Sequence, residues 1–316
     1  MGNKLIVIVG PTAVGKSKIG VELASQIKGE IVSGDSMQVY KGMDIGTAKI
    51  KEHEMFGTNN IKVKHHMIDI IPPQKDYSVA DFQEDARNCI NEINKSDKIP
   101  ILLGGTGLYV RAVIDEYDFQ VNVNHVTRLA LLQIAQENGT FKLYKELKEI
   151  DADSAERIHP NDTKRIVRAL EYFKTTGKPI SSSMVAGYKY SLFSPLVMIG
   201  LNIPRTILYE RINQRVDTMI QEGLIEEVEN LLKAGVKPTN TSMQAIGYKQ
   251  VVEYLSKKRS LKETIEIIKR DTRRFAKRQL TWFRRDDRIK WFEVDINNPL
   301  NIINEIKAEI GRNINI

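Results

Sequence analysis

Leu5-Ile6-Val7-Ile8-Val9-Gly10-Pro11-Thr12-Ala13-Val14-Gly15-Lys16-Ser17 is the stretch that decides how this chain folds. Its first five residues are apolar and rich in β-branched side chains, which reads as a parallel strand buried on both faces. Gly10–Ser17 then follows the pattern G-x-x-x-x-G-K-[S/T], directly after that strand and directly before a helical pattern, the context that gives this motif its meaning. Glycines let the backbone wrap an anion with successive N–H groups pointing inward, and the helix N-terminus adds partial positive charge. Lys16 supplies a mobile cation for outer phosphate oxygens, and the Ser17 hydroxyl is a ligand for Mg²⁺. The loop is thus a di- or triphosphate cradle, and nothing in it says which.

Working outward, the first helix runs from about Lys16 to Gln26. Further strands are expected at Glu30–Ser33, Ile99–Leu103 and Leu196–Leu201, with an edge strand at Ile289–Val294 and a closing amphipathic helix. Ser78-Val79-Ala80-Asp81 opens a helix to about Asn94 with a capping-box pattern, and another starts near Pro204, with proline at its first position. This alternation predicts an α/β class: an open, mostly parallel sheet with a P-loop NTPase-like core. Between Asp115 and Ser194 only helical patterns appear, such as Leu129–Ala135 and Thr163–Phe173. The expected organisation is a core of residues 1–114 and 195–316 interrupted by a helical insertion, 115–194.

No apolar run reaches eighteen residues, so no membrane helix is expected. The N-terminal apolar run is too short for a signal peptide. The single cysteine, Cys89, excludes internal disulfides and cysteine-based zinc sites, and a cytoplasmic protein is expected. Net charge is +7 over 316 residues. Lys269 to Lys290 alone holds ten Lys/Arg against three Asp, an excess equal to that of the whole chain. Along a helix, Arg270, Arg273, Arg274, Lys277, Arg278, Arg284 and Arg285 share one arc, while Phe275, Gln279 and Phe283 point the other way and Trp282 sits at the margin. Solvated helix faces usually alternate in sign; a one-signed face suits a phosphate backbone.

Asp35 lies just past the second strand, where open α/β sheets bind ligands, and beside a phosphate loop its carboxylate is placed to accept a proton from a nucleophile. The aperiodic segment from Met37 to Lys49 is a long loop, the kind that carries function. Gly104-Gly105-Thr106-Gly107 allows close backbone approach, with Thr106 as a short hydroxyl arm. His65–Asp69 reads as a hairpin or strand end, or as a second Mg²⁺-carboxylate strand. Arg211 and Arg215, one turn apart, are either a lid over the phosphates or an ordinary helix surface.

GPTAVGKS (Gly10–Ser17), SGDSMQVYKGMDIGTAK (Ser33–Lys49), His65–Asp69, GGTGLY (Gly104–Tyr109), His159-Pro160-Asn161-Asp162 with Arg165 and Arg168, and QAIGYK (Gln244–Lys249) together resemble the tRNA dimethylallyltransferases, along about nine-tenths of the chain. The second of these is the most specific. Gly34 stands where the family pattern has alanine and Lys41 where arginine is common. The chain is similar to the bacterial type, without the C-terminal zinc finger of longer relatives. The resemblance implies transfer of a dimethylallyl group from dimethylallyl diphosphate to N6 of adenosine 37 in the anticodon loop of a tRNA, with Mg²⁺ as cofactor; no membrane partner and a monomer are expected. It implies that Gly10–Ser17 and Arg128 hold the diphosphate, and that Asp35 is the general base, assisted by Thr106 and Lys16. On the tRNA side it implies Asp35, Ser36, Met37, Gln38, Thr106, Arg128, Arg165, Arg168, Gly247, Tyr248 and Lys249, joined by Arg274, Lys277 and Arg278 of the basic helix.

Three rival readings share parts of this pattern. A nucleotide kinase would use the same loop with ATP as donor. A prenyltransferase for free adenine nucleotides has no use for the basic helix. A non-catalytic RNA-binding module would not need Lys16, Ser17 and Asp35 intact.

Overall fold

The computed structural model describes residues 3–116, 125–183 and 191–314; residues 117–124 and 184–190 of the expected insertion, and the outermost residues at each terminus, lie outside it. The chain divides into two compact units, Met1–Asp115 with Tyr190–Ile316, and Glu116–Lys189.

The first unit holds six strands: β1 (Leu5–Val9), β2 (Gly29–Ser33), β3 (His65–His66), β4 (Ile99–Gly104), β5 (Leu196–Asn202) and β6 (Ile289–Glu293). They form one sheet in the order β3-β2-β4-β1-β5-β6, and every neighbouring pair is parallel. Parallel strands need crossovers, which here are α1 (Lys16–Gln26), α2 (Val79–Lys95), α3 (Gly107–Ile114) and the helices after β5. The continuous apolar run of β1 is explained by its place in the middle of the sheet. Leu5, Val7 and Val9 face one core with Phe82 and Ile90 of α2 and Val110 of α3. Ile6 and Ile8 face the other, with Ile19 and Leu23 of α1. All five are fully buried.

The described elements of the second unit are all helices: α4 (His125–Asn138), α5 (Thr140–Ile150), α6 (Ala152–Arg157), α7 (Thr163–Thr176) and α8 (Ile180–Ser183). Leu131, Leu143, Leu147, Ile166 and Leu170 form its own small core. Back in the first unit follow α9 (Arg205–Gln221), α10 (Leu224–Lys233), α11 (Tyr248–Leu255), α12 (Leu261–Phe283) and α13 (Ile303–Gly311). No helix among the described residues is long and apolar enough to cross a membrane.

Local signals act as expected at Ser78, whose hydroxyl caps α2 in a reciprocal box with Asp81. Two details differ, and the alternatives left open at His65–Asp69 are narrowed. Pro204 is the N-cap of α9 rather than its first helical residue. The helix α12 ends at Phe283, so Arg284 is its C-cap and Arg285 lies beyond it. His65-His66 is a two-residue parallel strand on the sheet edge, not a hairpin, because it pairs with β2 through Ile31 and Val32.

Candidate active site

Register places Val9 beside Gly104 and Ser33 beside Leu103, so the turns after β1, β2 and β4 leave the sheet along one edge. That edge is the carboxyl-end crevice of a parallel sheet. Gly10–Ser17 runs from β1 into α1, and Gly15 adopts a left-handed conformation as the N-cap. Lys16 Nζ donates to the carbonyls of Gly10 (3.0 Å) and Pro11 (2.9 Å), folding back over its own loop. Burial pushes the Lys16 ammonium down to about 7, Arg215 adds to this, and the Asp35 carboxylate opposes it. Ser17 is exposed at the same mouth.

Two cavities meet here. One of about 710 Å³ is lined by the phosphate loop, Asp35, Gln38, Lys49 and Arg215. The other, about 330 Å³ and more apolar, is lined by Ser36, Met37, Thr106, Val216, Ile246, Gly247 and Arg278. Asp35, Thr12, Arg215, Met219 and Phe275 line both, so they stand where the cavity over Gly10–Ser17 meets the more apolar one. Desolvation raises the Asp35 carboxyl above its ordinary range, while the Met37 N–H, Lys16 and the Gln38 N–H hold it back. Its Oδ1 accepts the Met37 N–H at 2.9 Å, which fixes the carboxylate direction. Thr106 occupies the N-cap position of α3 but makes no side-chain cap, leaving its hydroxyl available at the apolar cavity.

The loop from Met37 to Lys49 is held by residues far along the chain. Gln38 accepts from Ser33 Oγ at 2.9 Å and donates to the Thr47 carbonyl at 3.2 Å, so both ends of its amide brace the loop. Lys49 is buried and donates to the Tyr40 carbonyl, Asp44 and Asp69. Asp69 is thus engaged by an ammonium group, which counts against the metal-carboxylate reading of His65–Asp69. Among the described residues no cluster of three His, Cys, Asp or Glu exists that would hold a metal. Glu227 of α10 accepts the N–H groups of Asp44 (2.9 Å), Ile45 (2.8 Å) and Gly46 (3.2 Å). A methyl at Gly46 would lie 2.3 Å from the Tyr248 ring, so this turn needs glycine. The expectation that Tyr248 touches tRNA is corrected: it is fully buried and its hydroxyl donates to Glu227, while Lys249 is exposed and Gly247 lines the apolar cavity.

On α12 the two faces separate. Ala276, Gln279 and Phe283 are buried, and Arg274, Lys277 and Arg278 are exposed. Among the described residues, none of Arg274, Lys277, Arg278, Arg284 and Arg285 forms an ion pair; Arg278 lies 5.8 Å from the Phe275 ring centroid. Two members of the expected arc are engaged within the protein: Arg270 pairs with Asp271, and Arg273 donates to Asn213 of α9 at 2.5 Å. Arg215 lines both cavities, whereas Arg211 is absent from either lining.

Arg128, Arg165 and Arg168 belong to the second unit. Arg128 is half-buried on α4. Asp162 caps α7 through the Arg165 N–H and also approaches its exposed guanidinium, at 3.4 Å. Arg168 pairs at 3.1 Å with Glu171, whose side chain is 1% exposed, so part of its guanidinium neutralises a buried carboxylate. Sequence reasoning did not single out Glu227, Lys49 or Phe275 as site residues, and it gave Gln279 only a side of a helix. For Glu227, Lys49 and Gln279, the glycine-containing turns they brace were the available signal.

The arrangement has counterparts. The IPP transferase family matches residues 38–286. A tRNA dimethylallyltransferase of Carboxydothermus hydrogenoformans is 54% identical, covering 99% of both chains. That of Caldanaerobacter subterraneus is 49% identical over 93% of each. The crystal structure of a tRNA isopentenylpyrophosphate transferase from Bacillus halodurans superposes with a TM-score of 0.72 at 45% identity, covering 98% of this chain and 97% of that one. A eukaryotic dimethylallyltransferase acting on tRNA superposes at 0.79 with 30% identity, covering 96% of this chain and 77% of that one. Likeness at this level, along nearly the whole sequence and in three dimensions, is shared ancestry rather than a shared loop: the chain belongs to the IPP transferase family.

Proposed function

We propose that this protein transfers the dimethylallyl group of dimethylallyl diphosphate to N6 of adenosine 37 in a tRNA anticodon loop and releases diphosphate. The observation that carries this reading is the position of Asp35, at the junction of the phosphate-loop cavity and the apolar cavity. A diphosphate held by Gly10–Ser17 sends its allylic carbon toward that junction, and a base entering through the apolar side meets it there.

The exocyclic amine of adenine is a poor nucleophile, because its lone pair is delocalised into the ring. The allylic C1–O bond compensates by breaking readily, and its electron pair leaves on the diphosphate. Lys16, the loop N–H groups and Arg215 face that developing charge. The N6 lone pair forms the C–N bond, and Asp35 takes the N6 proton. Thr106 orients the amine. Phe275 and Met219 give the five-carbon group an apolar boundary. Extruding the base costs less in a single-stranded loop than in a duplex.

The donor set fits Mg²⁺ as it sits in phosphate loops: one hydroxyl, Ser17, with waters and substrate oxygens completing the shell, and no carboxylate cage required. Bound there, Mg²⁺ would neutralise charge on the leaving diphosphate. Arg128, with Arg165 and the free part of Arg168, would add phosphate contacts from the helical unit. The one-signed face of α12, with Arg274, Lys277 and Arg278, supports a polynucleotide rather than a free nucleotide as acceptor. Incubating the protein with tRNA, Mg²⁺ and radiolabelled dimethylallyl diphosphate and locating the label tests the proposal. Label at N6 of adenosine 37 is expected; label on free adenine nucleotides, or ATP consumption without the prenyl donor, would replace it.

A further inference from the structure

We propose that Gln279 is a positioning residue for the diphosphate, which holds the phosphate loop and the Gly104–Gly107 turn at a fixed separation. The inference rests on the phosphate-loop reading above and assigns a role that the loop residues alone do not contain.

Gln279 lies on the inward face of α12 and is 6% exposed. Its Oε1 accepts the Thr12 N–H at 2.8 Å, and its Nε2 donates to the Gly105 carbonyl at 2.9 Å. Among the described residues no other side chain hydrogen-bonds to both turns. A buried amide is costly unless both ends find partners, and these ends do so only when the two turns stand one amide width apart. Gly105 is shaped to this contact: a methyl there would lie 2.2 Å from Gln279 Nε2.

The chemical consequence follows from what each turn carries. The first ends in Lys16 and Ser17, which face the leaving group; the second carries Thr106, at the apolar cavity beside Asp35. Fixing Thr12 relative to Gly105 fixes where the allylic carbon lies relative to the base. It also keeps the loop wrapped before any anion arrives, so binding loses less conformational freedom. Because Gln279 sits between Lys277 and Arg278 on one side and Trp282 and Phe283 on the other, the clamp is part of the same helix whose outer face is basic.

Two independent substitutions break the same clamp. Gln279→Met keeps length and apolar bulk but neither hydrogen bond. Gly105→Ala pushes the amide away from the opposite side. Inorganic diphosphate affinity by calorimetry, tRNA affinity without diphosphate, and a thermal melt are measured for each and for the double variant. Each single change is expected to weaken diphosphate binding about tenfold, the scale of a lost hydrogen bond to a buried group, with tRNA affinity within about twofold. The double variant is expected to be no worse than about the singles, since both act on one contact. Lowered melting with unchanged diphosphate affinity overturns the proposal, as does full additivity. If Gln279→Met fails to fold, Gly105→Ala alone still decides whether diphosphate affinity depends on the clamp. A wild-type protein that binds no diphosphate would instead sink the phosphate-loop reading itself.

Discussion

The Tyr248 hydroxyl donates to Glu227 Oε1 at 2.5 Å, and the same carboxylate accepts three successive backbone N–H groups of the loop at Asp44–Gly46. Two residues from the C-terminal half of the chain thereby set the shape of a loop in the N-terminal quarter. Glu227→Gln puts donors where acceptors are needed. The loop is expected to open locally, with faster amide exchange across residues 37–49 and a roughly tenfold loss of kcat/KM, on the scale of 1–2 kcal/mol for a charged hydrogen-bond acceptor. Exchange and activity like those of wild type would show that the loop does not depend on this carboxylate.

Asp35→Asn should leave diphosphate and tRNA binding nearly intact and slow the chemical step by about 10²-fold or more, the usual cost of a lost general base. The pH profile of kcat/KM for the prenyl donor gives the sign. Asp35 acts deprotonated and its carboxyl is raised by burial, so activity falls as pH drops through a value above the ordinary aspartate range. Lys16 acts protonated and is pushed down to about 7, so activity falls again as pH rises through about 7. In Asp35→Asn the acid limb should vanish and the alkaline limb remain. A single-turnover rate near wild type would remove Asp35 from the base role.

Lys16→Ala is expected to weaken dimethylallyl diphosphate binding and to slow the reaction together, because the ammonium meets the diphosphate in both ground and transition states. Wild-type protein should take up a proton on binding diphosphate above pH 7, as the anion restores the charge that burial suppresses; Lys16→Ala should not. Calorimetry in buffers of different ionisation enthalpy measures this directly. ATP should be neither required nor hydrolysed, and tRNA-stimulated ATP hydrolysis would favour the kinase reading.

Changing Arg274, Lys277 and Arg278 to glutamine should raise the dissociation constant for tRNA and leave that for diphosphate almost unchanged. All three are exposed and, among the described residues, without an ion pair, so their charge is free for phosphates. The log–log salt dependence of tRNA binding should become shallower by roughly two to three units if each contacts a phosphate. An unchanged slope with an unchanged melt would make this an ordinary solvated face.

The strand β1 and the phosphate loop were legible in the sequence because their constraints are local. A buried parallel strand must be apolar on both faces, and a loop that wraps an anion needs glycine at set positions. Asp35 and Thr106 were legible for a related reason, since each follows a strand whose end is marked. Tyr248 was misread because a tyrosine in a motif looks the same whether its ring is buried or its hydroxyl meets a ligand. Arg168 carried the same ambiguity: nothing in its neighbourhood announced that Glu171, one turn later, is buried and needs a partner.

The sequence by itself determined the fold class, and it marked the Gly10–Ser17 motif, the candidate base and the basic helix, all of which follow from short-range pattern and spacing. Only the tertiary structure decided which side chains brace those parts. Gln279 reaches Thr12 across 267 positions, and Glu227 reaches Asp44 across 183. Contacts of that separation leave no period or motif, because a hydrogen bond requires only that two groups meet in space with the right direction, and that meeting is fixed by how α10 packs on α9 and α11, and α12 on α3, α9 and α11.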